Sequence, residues 1–168
     1  MVTLGIDPGL SITGYAAIRA NSQGYAGVEV IEAGVFRFDR RQKIPTRLAE
    51  LEKDLTALIE RTGAGCICVE SLFAHFGHPR TAIIMAHARG VILLTAAKFR
   101  LPLVEVPPAT VKKAVTGNGR ATKAQMQYAV ATVLGLASLP KPVDVADAIA
   151  VALCGSRRFV GVDEVKKR

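Results

Sequence analysis

Hydrophobic and polar positions change period several times along this chain, and each change marks an element. Val2, Leu4 and Ile6 alternate with Thr3, Gly5 and Asp7, the period of a half-buried strand. Asp7-Pro8-Gly9 then turns the chain, with Pro presetting φ and Gly supplying a permissive position. A second strand is predicted over Gly14 to Arg19. A third covers Val28 to Phe38, beyond the turn residues Asn21, Ser22, Gln23 and Gly24. The period next becomes helical: Leu48, Leu51, Leu55, Leu58 and Ile59 share one face of a helix from Pro45 to Arg61. Ile67 to Glu70 reads as a short buried strand, Arg80 to Phe99 as a long helix, and Leu101 to Val106 as another strand. Two helices follow, over about Pro108 to Val115 and Lys123 to Leu134. A last one begins near Pro142, a good first-turn residue, and runs to about Phe159.

The order βββαβαβααα implies an α/β fold in which an antiparallel meander is continued by helix-linked parallel strands. The result is a five-stranded mixed sheet with helices on both faces. Residues 1–159 are expected to form this single domain, and residues 160–168 a basic, frayed tail. A chain of 168 residues buries a sufficient core without disulfides. Its three cysteines, Cys66, Cys68 and Cys154, have no framework spacing and read as reduced, buried thiols. The longest apolar stretch, Ala82 to Ala97, is broken by His87 and Arg89, which favours a soluble helix over a membrane span. Asp7 stands where a signal peptide needs apolar residues. The expected location is therefore cytoplasmic.

The net charge of +8 is unevenly spread. Residues 1–70 carry 8 Lys/Arg against 9 Asp/Glu, whereas residues 71–168 carry 14 against 5. A basic C-terminal half suggests a polyanionic partner, nucleic acid before membrane. Against that background four acids are oddly placed. Asp7 ends the first strand, on the face opposite Val2, Leu4 and Ile6. Glu70 ends the fourth, directly after Cys66-Ile67-Cys68-Val69. Asp144 and Asp147 lie one turn apart on a helix that is apolar nearly all round, where acids are costly unless paired or bound to a metal. Each has an ordinary reading alone: a turn Asp, a solvated strand end, or two first-turn acids that complement a helix dipole. Together, hard carboxylate oxygens without a histidine cluster suit Mg²⁺ or Mn²⁺, and two such ions suit phosphodiester hydrolysis. His75, His78 and His87 read as loop or surface residues.

The segments Gly5-Ile6-Asp7-Pro8-Gly9, Val69-Glu70-Ser71-Leu72-Phe73 and Asp144-Val145-Ala146-Asp147-Ala148-Ile149-Ala150 resemble the three acidic motifs of the RuvC Holliday-junction resolvases. Val111-Lys112-Lys113 with Thr122-Lys123 resembles that family's basic segment. The resemblance runs nearly the whole length of the chain. It implies a ribonuclease H-like nuclease that acts as a homodimer on four-way junction DNA. It implies symmetric paired nicks with 5′-phosphate and 3′-hydroxyl ends, and cooperation with the RuvA–RuvB branch-migration complex. It also implies that Asp7, Glu70, Asp144 and Asp147 hold the metal, that Lys112 and Lys123 contact the region of the scissile phosphate, and that Phe73 stacks at the junction centre. Lys113 and Arg120 are expected to extend the phosphate track. Two features depart from the family pattern: Ser71 replaces the usual Gln, and the loop Ala74 to Arg80 is about one residue longer and adds Phe76 as a rival wedge. Phe73 also has a plain reading as a core plug. The small-residue stripe Ala82, Ala86 and Gly90 fits either a close approach of two helices across a dimer or packing on the protein's own sheet.

Three other classes compete. A same-fold nuclease acting on RNA is opposed by the Lys112/Lys123 segment and the Phe73 loop. An actin-like ATPase or sugar kinase needs two lobes. A non-catalytic DNA-binding module predicts loss of a motif acid, and all four are present.

Overall fold

The computed structural model describes residues 1–21, 27–71 and 79–165, with side chains at all of these except 79 and 158–165. The elements run in the expected order: β1 Val2–Asp7, β2 Ile12–Arg19, β3 Glu29–Arg37, α1 Ile44–Thr62, β4 Ala64–Glu70, α2 Pro79–Lys98, β5 Leu103–Val106, α3 Pro108–Thr116, α4 Lys123–Leu134 and α5 Val143–Val165. The five strands form one sheet in the order β3-β2-β1-β4-β5. β1 pairs antiparallel with β2 and parallel with β4. β4 begins at Ala64, ahead of the expected Ile67, and α5 runs past the expected end near Phe159.

Strand parity divides the core in two. Val2, Leu4, Ile6, Ile67 and Val69 pack with Leu55, Leu58, Ile59, Ile92 and Ala96 from α1 and α2. The alternate residues Ala16, Ile18, Cys68 and Val106 face α5, α3 and α4, among them Val111, Met126, Val130, Ala148 and Ala152. All three cysteines are buried and unbridged. α5 is therefore covered on most sides, which is why its sequence is apolar nearly all round.

The approach of α5 to the sheet is set by two glycines. A Cβ at Gly5 would lie 2.4 Å from both the Ala148 carbonyl oxygen and the Ala152 nitrogen. One at Gly14 would lie 2.2 Å from the Asp144 carbonyl oxygen. Any side chain at either position drives the helix off the strands. The helix backbone thus rests directly on β1 and β2, with its first turn over their Asp7 end, where Asp7 pairs with Gly14.

Two of the three stripe residues on α2, Ala86 and Gly90, face away from the protein's own core, and Ala82 is half-buried. Ala88, Ile92, Thr95 and Ala96 are the buried positions of α2. Ala86 and Gly90 are exposed, a Cβ at Gly90 meets open space, and Ile83 and Leu94 are each 58% exposed. By length and composition Arg80–Lys98 is long and apolar enough to cross a membrane, because its outward side is nearly as apolar as its inward one.

Candidate active site

Four elements converge at the C-terminal ends of β1 and β4. Because Ile6 is in register with Val69, Asp7 and Glu70 leave adjacent strands side by side, and parity turns both toward α5. α5 brings Asp144 and Asp147 over the same edge. The hairpin of α3 and α4, packed on α5, supplies cations: Lys123 Nζ lies 3.5 Å from Asp147 Oδ2.

The electrostatics show how close these groups are. Burial pushes the Asp7 carboxyl up from 3.8 to about 8, and Glu70, Asp147 and Asp144 add to the shift while Lys123 opposes it. Glu70 is raised by burial and by Asp147, against Lys112 and Lys123. Asp147 is raised by burial and by Asp144, against the pull of Lys123 and Lys112. Burial works against the Lys123 ammonium, but Asp147, Asp7 and Asp144 outweigh it and hold its pKa above the ordinary value. The site is thus an acid cluster short of positive charge, and its donors are all hard oxygens, the set that suits Mg²⁺ or Mn²⁺. In this conformation no three His, Cys, Asp or Glu side chains among the described residues close into a ready metal cage.

The other expected residues divide. Lys112 is half-buried and acts on Glu70 and Asp147. Lys113 and Arg120 are exposed on the same hairpin, and neither is among the groups that shift the acids. Phe73, Phe76, His75 and His78 lie outside the described residues, and His87 is exposed on α2.

Several positioning groups escaped the sequence reading. Arg47 is buried at 6% exposure and donates from Nη2 to the Leu10 carbonyl and, at 3.3 Å, to Ser11 Oγ. It pins the turn that follows Asp7. A signal for it exists: Arg47 falls on the Leu51/Leu55/Leu58 stripe of an amphipathic helix, where a charge needs a reason. Thr13 is fully buried and donates its hydroxyl to the Gly9 carbonyl, closing the same turn. On the other side Ser71 N–H donates to the Val106 carbonyl at 2.9 Å, fixing the chain just after Glu70. Arg89 of α2 pairs with Glu105 of β5.

A mixed sheet in this order, with acids at the ends of its first and fourth strands and on its last helix, defines a ribonuclease H-like nuclease fold. The family profile described as crossover junction endodeoxyribonuclease RuvC matches residues 3–155. The chain is 47% identical over 152 residues to the crossover junction endodeoxyribonuclease RuvC of Rhodopirellula baltica, covering 90% of this chain and 84% of that one. It is 43% identical to the protein of the same name from Desulforamulus reducens, covering 92% of each. Among solved structures, Thermus thermophilus RuvC in complex with Holliday junction substrate superposes with a TM-score of 0.85 at 26% identity, covering 93% of each chain. The chain belongs to the RuvC family of crossover junction endodeoxyribonucleases.

Proposed function

We propose that the protein resolves Holliday junctions in homologous recombination and DNA repair, by nicking two opposing strands symmetrically. The observation that carries this reading is the convergence of Asp7, Glu70 and Asp147 beside Lys123, in a chain matched along residues 3–155 to the resolvase family. Asp7, Glu70, Asp144 and Asp147 would hold two Mg²⁺ or Mn²⁺ ions, which when bound supply an activated water and charge stabilisation at the phosphodiester. Lys123, kept protonated by the acids around it, contacts a scissile-phosphate oxygen and stabilises the charge that grows there. Lys112 helps from α3. Water adds to phosphorus, the bond to the 3′ oxygen breaks, and that oxygen leaves with a proton. The ends are a 5′-phosphate and a 3′-hydroxyl. Lys113 and Arg120 continue the phosphate track, and Phe73 stacks at the open crossover.

The protein acts as a homodimer, since a two-fold substrate cut at two points suits a two-fold enzyme. The exposed face of α2, with Ile83, Ala86, Gly90 and Leu94 on one side of the helix, is the surface we assign to that interface. Junctions reach it with the RuvA–RuvB complex, and action on chromosomal DNA places it in the cytoplasm. We take residues 1–159 as the nuclease domain, with α5 continuing beyond them to Val165. A substrate panel tests the reading: a four-way junction should be cut in preference to duplex DNA and to an RNA–DNA hybrid. Preference for the hybrid would move the assignment to an RNA-directed nuclease of the same fold.

A further inference from the structure

A second cationic surface stands at the same end of the sheet as the acids, in the connection from β3 to α1. Residues 1–70 carry 8 Lys/Arg, and five of these fall within residues 37–49 against a single acid, Asp39. That acid is already engaged. Asp39 Oδ2 accepts from Arg41 Nη2 at 2.8 Å, and Asp39 Oδ1 accepts from the Arg41 backbone N–H at 2.9 Å. Arg47 is buried in its contact with the turn after Asp7. Arg37, Arg40 and Lys43 remain exposed and enter no ion pair among the described residues. Free positive charge gathered in the half of the chain that is net negative suits a polyanion.

Register places this surface beside the acids. Gly14 pairs with Asp7 of β1 and with Val35 of β3, and directly opposed residues share a face of the sheet. Arg37, two residues past Val35, therefore stands on the face of Asp7. Two strand spacings sideways and two residues along put its Cα roughly 12 Å from that of Asp7. From Arg37 the chain passes round the end of the sheet to α1, which packs on the opposite face with Leu4 and Ile6. The connection is tied to the turn after Asp7: Phe38 N–H donates to the Ser11 carbonyl at 3.1 Å, and the Phe38 side chain packs with Leu10. Gln42 N–H closes a turn on the Asp39 carbonyl at 3.0 Å. Leu10 and Ser11 thus anchor both the strand end that bears Asp7 and the loop that bears the cations.

We propose that Arg37, Arg40 and Lys43 hold the sugar–phosphate backbone of the junction arm that leads from the scissile phosphate across β2 and β3. A separation of roughly 12 Å is the rise of three or four base pairs, so the phosphates held there belong to the first turn of the arm. Cations on the backbone orient a duplex without reading its sequence. The inference rests on the junction-DNA reading and adds to it a contact separate from Lys112 and Lys123. The competing occupant of a basic loop is an acidic protein segment.

The test compares Arg37→Glu and the double substitution Arg40→Glu/Lys43→Glu with Arg19→Glu, a reversal of the same sign at the far end of β2. All four side chains are exposed, and the thermal midpoint reports on the fold. Arg40→Ala/Lys43→Ala serves if the double reversal unfolds the protein. Binding to a four-way junction is measured in EDTA as a salt series. Arg37→Glu should weaken binding on the order of tenfold at about 0.1 M salt and lower the log–log salt slope by about one, and the double reversal should lower it by about two. Arg19→Glu should bind as wild type, because charges more than about 10 Å from the DNA are screened at that salt. Neutral methylphosphonates placed about three to six base pairs from the cut should weaken wild-type binding and add little to the loss in the loop variants. If wild type binds the junction and the loop variants match either it or Arg19→Glu in affinity and slope, the loop does not hold DNA. An acidic protein segment as occupant gives that result too, and it overturns the proposal. If wild type itself fails to bind a junction, the junction-DNA reading fails and this proposal falls with it.

Discussion

Replacing Asp7 by Asn should stabilise the metal-free protein, increasingly so as the pH rises. The fold holds the Asp7 carboxyl at about 8 against 3.8 for an ordinary aspartate, through burial first and then Glu70, Asp147 and Asp144. Between these two values the unfolded chain has released a proton that the folded protein retains, so raising the pH favours unfolding. The stability tied to this group is fully present below about pH 4 and is lost as pH climbs through about 8. At about 1.4 kcal/mol per pH unit, the ceiling is roughly 1.5 kcal/mol at pH 5 and about 5 kcal/mol at pH 8. Water entering the partly exposed site and relaxation of the neighbouring acids reduce this, and we expect about half. Asn keeps the shape and drops the charge. In EDTA at pH 8 its thermal midpoint should therefore lie about 5–10 °C above wild type, at 2–4 °C per kcal/mol for a chain of this size, with a gap of only a few degrees at pH 5. Saturating Mg²⁺ should raise the wild-type midpoint at pH 8 by ligand linkage and raise that of Asp7→Asn much less. A variant no more stable than wild type at pH 8 in EDTA, or a gap that does not widen with pH, would refute the electrostatic account of the site.

Other expectations follow from the same geometry. Gly5→Ala puts a Cβ against the α5 backbone, so it should cost about 1–3 kcal/mol by denaturant unfolding and lower cleavage further than that loss of folded protein explains. Lys123→Ala should slow single-turnover cutting of saturating DNA by about 10²-fold or more; an unchanged rate would remove Lys123 from the chemistry. Gly90→Glu, on the open face of α2, should leave the fold intact and convert the proposed dimer to monomer in sedimentation at micromolar concentration. Wild type sedimenting only as monomer, while active on junctions, would dispose of the dimer assignment.

Much of this architecture was legible in the sequence because strand parity and helical period are local. The alternation from Val2 to Asp7 put Asp7 on the opposite face from Ile6, and parity in β1 and β4 then brought Asp7 and Glu70 to one side. The apolar circumference of α5 correctly announced a helix covered on most sides, which made Asp144 and Asp147 conspicuous. Tertiary contacts were not legible in the same way. That Gly5 and Gly14 are seats for α5, and not merely strand glycines, depends on which helix lies over them. Arg47 binds a carbonyl 37 residues away and a hydroxyl 36 residues away, and no local pattern encodes such partners. The Ala82/Ala86/Gly90 stripe was ambiguous because a small-residue stripe suits a sheet or a second helix equally well. The outward exposure of Ala86, Gly90 and Leu94 decided against the protein's own sheet.

Asp7, Glu70, Asp144 and Asp147 are proposed as a metal-dependent centre that resolves four-way junctions. Its most direct test is to incubate wild-type and Glu70→Gln protein with Mg²⁺ or Mn²⁺ and a synthetic junction labelled on each strand in turn, then map every cut. Two symmetric nicks on opposing strands, with ligatable 5′-phosphate and 3′-hydroxyl ends, are expected for wild type only, while Glu70→Gln binds the junction at least as tightly and leaves it whole. Cutting by Glu70→Gln at the wild-type rate, or wild-type nicks that fall without symmetry about the crossover, would contradict it.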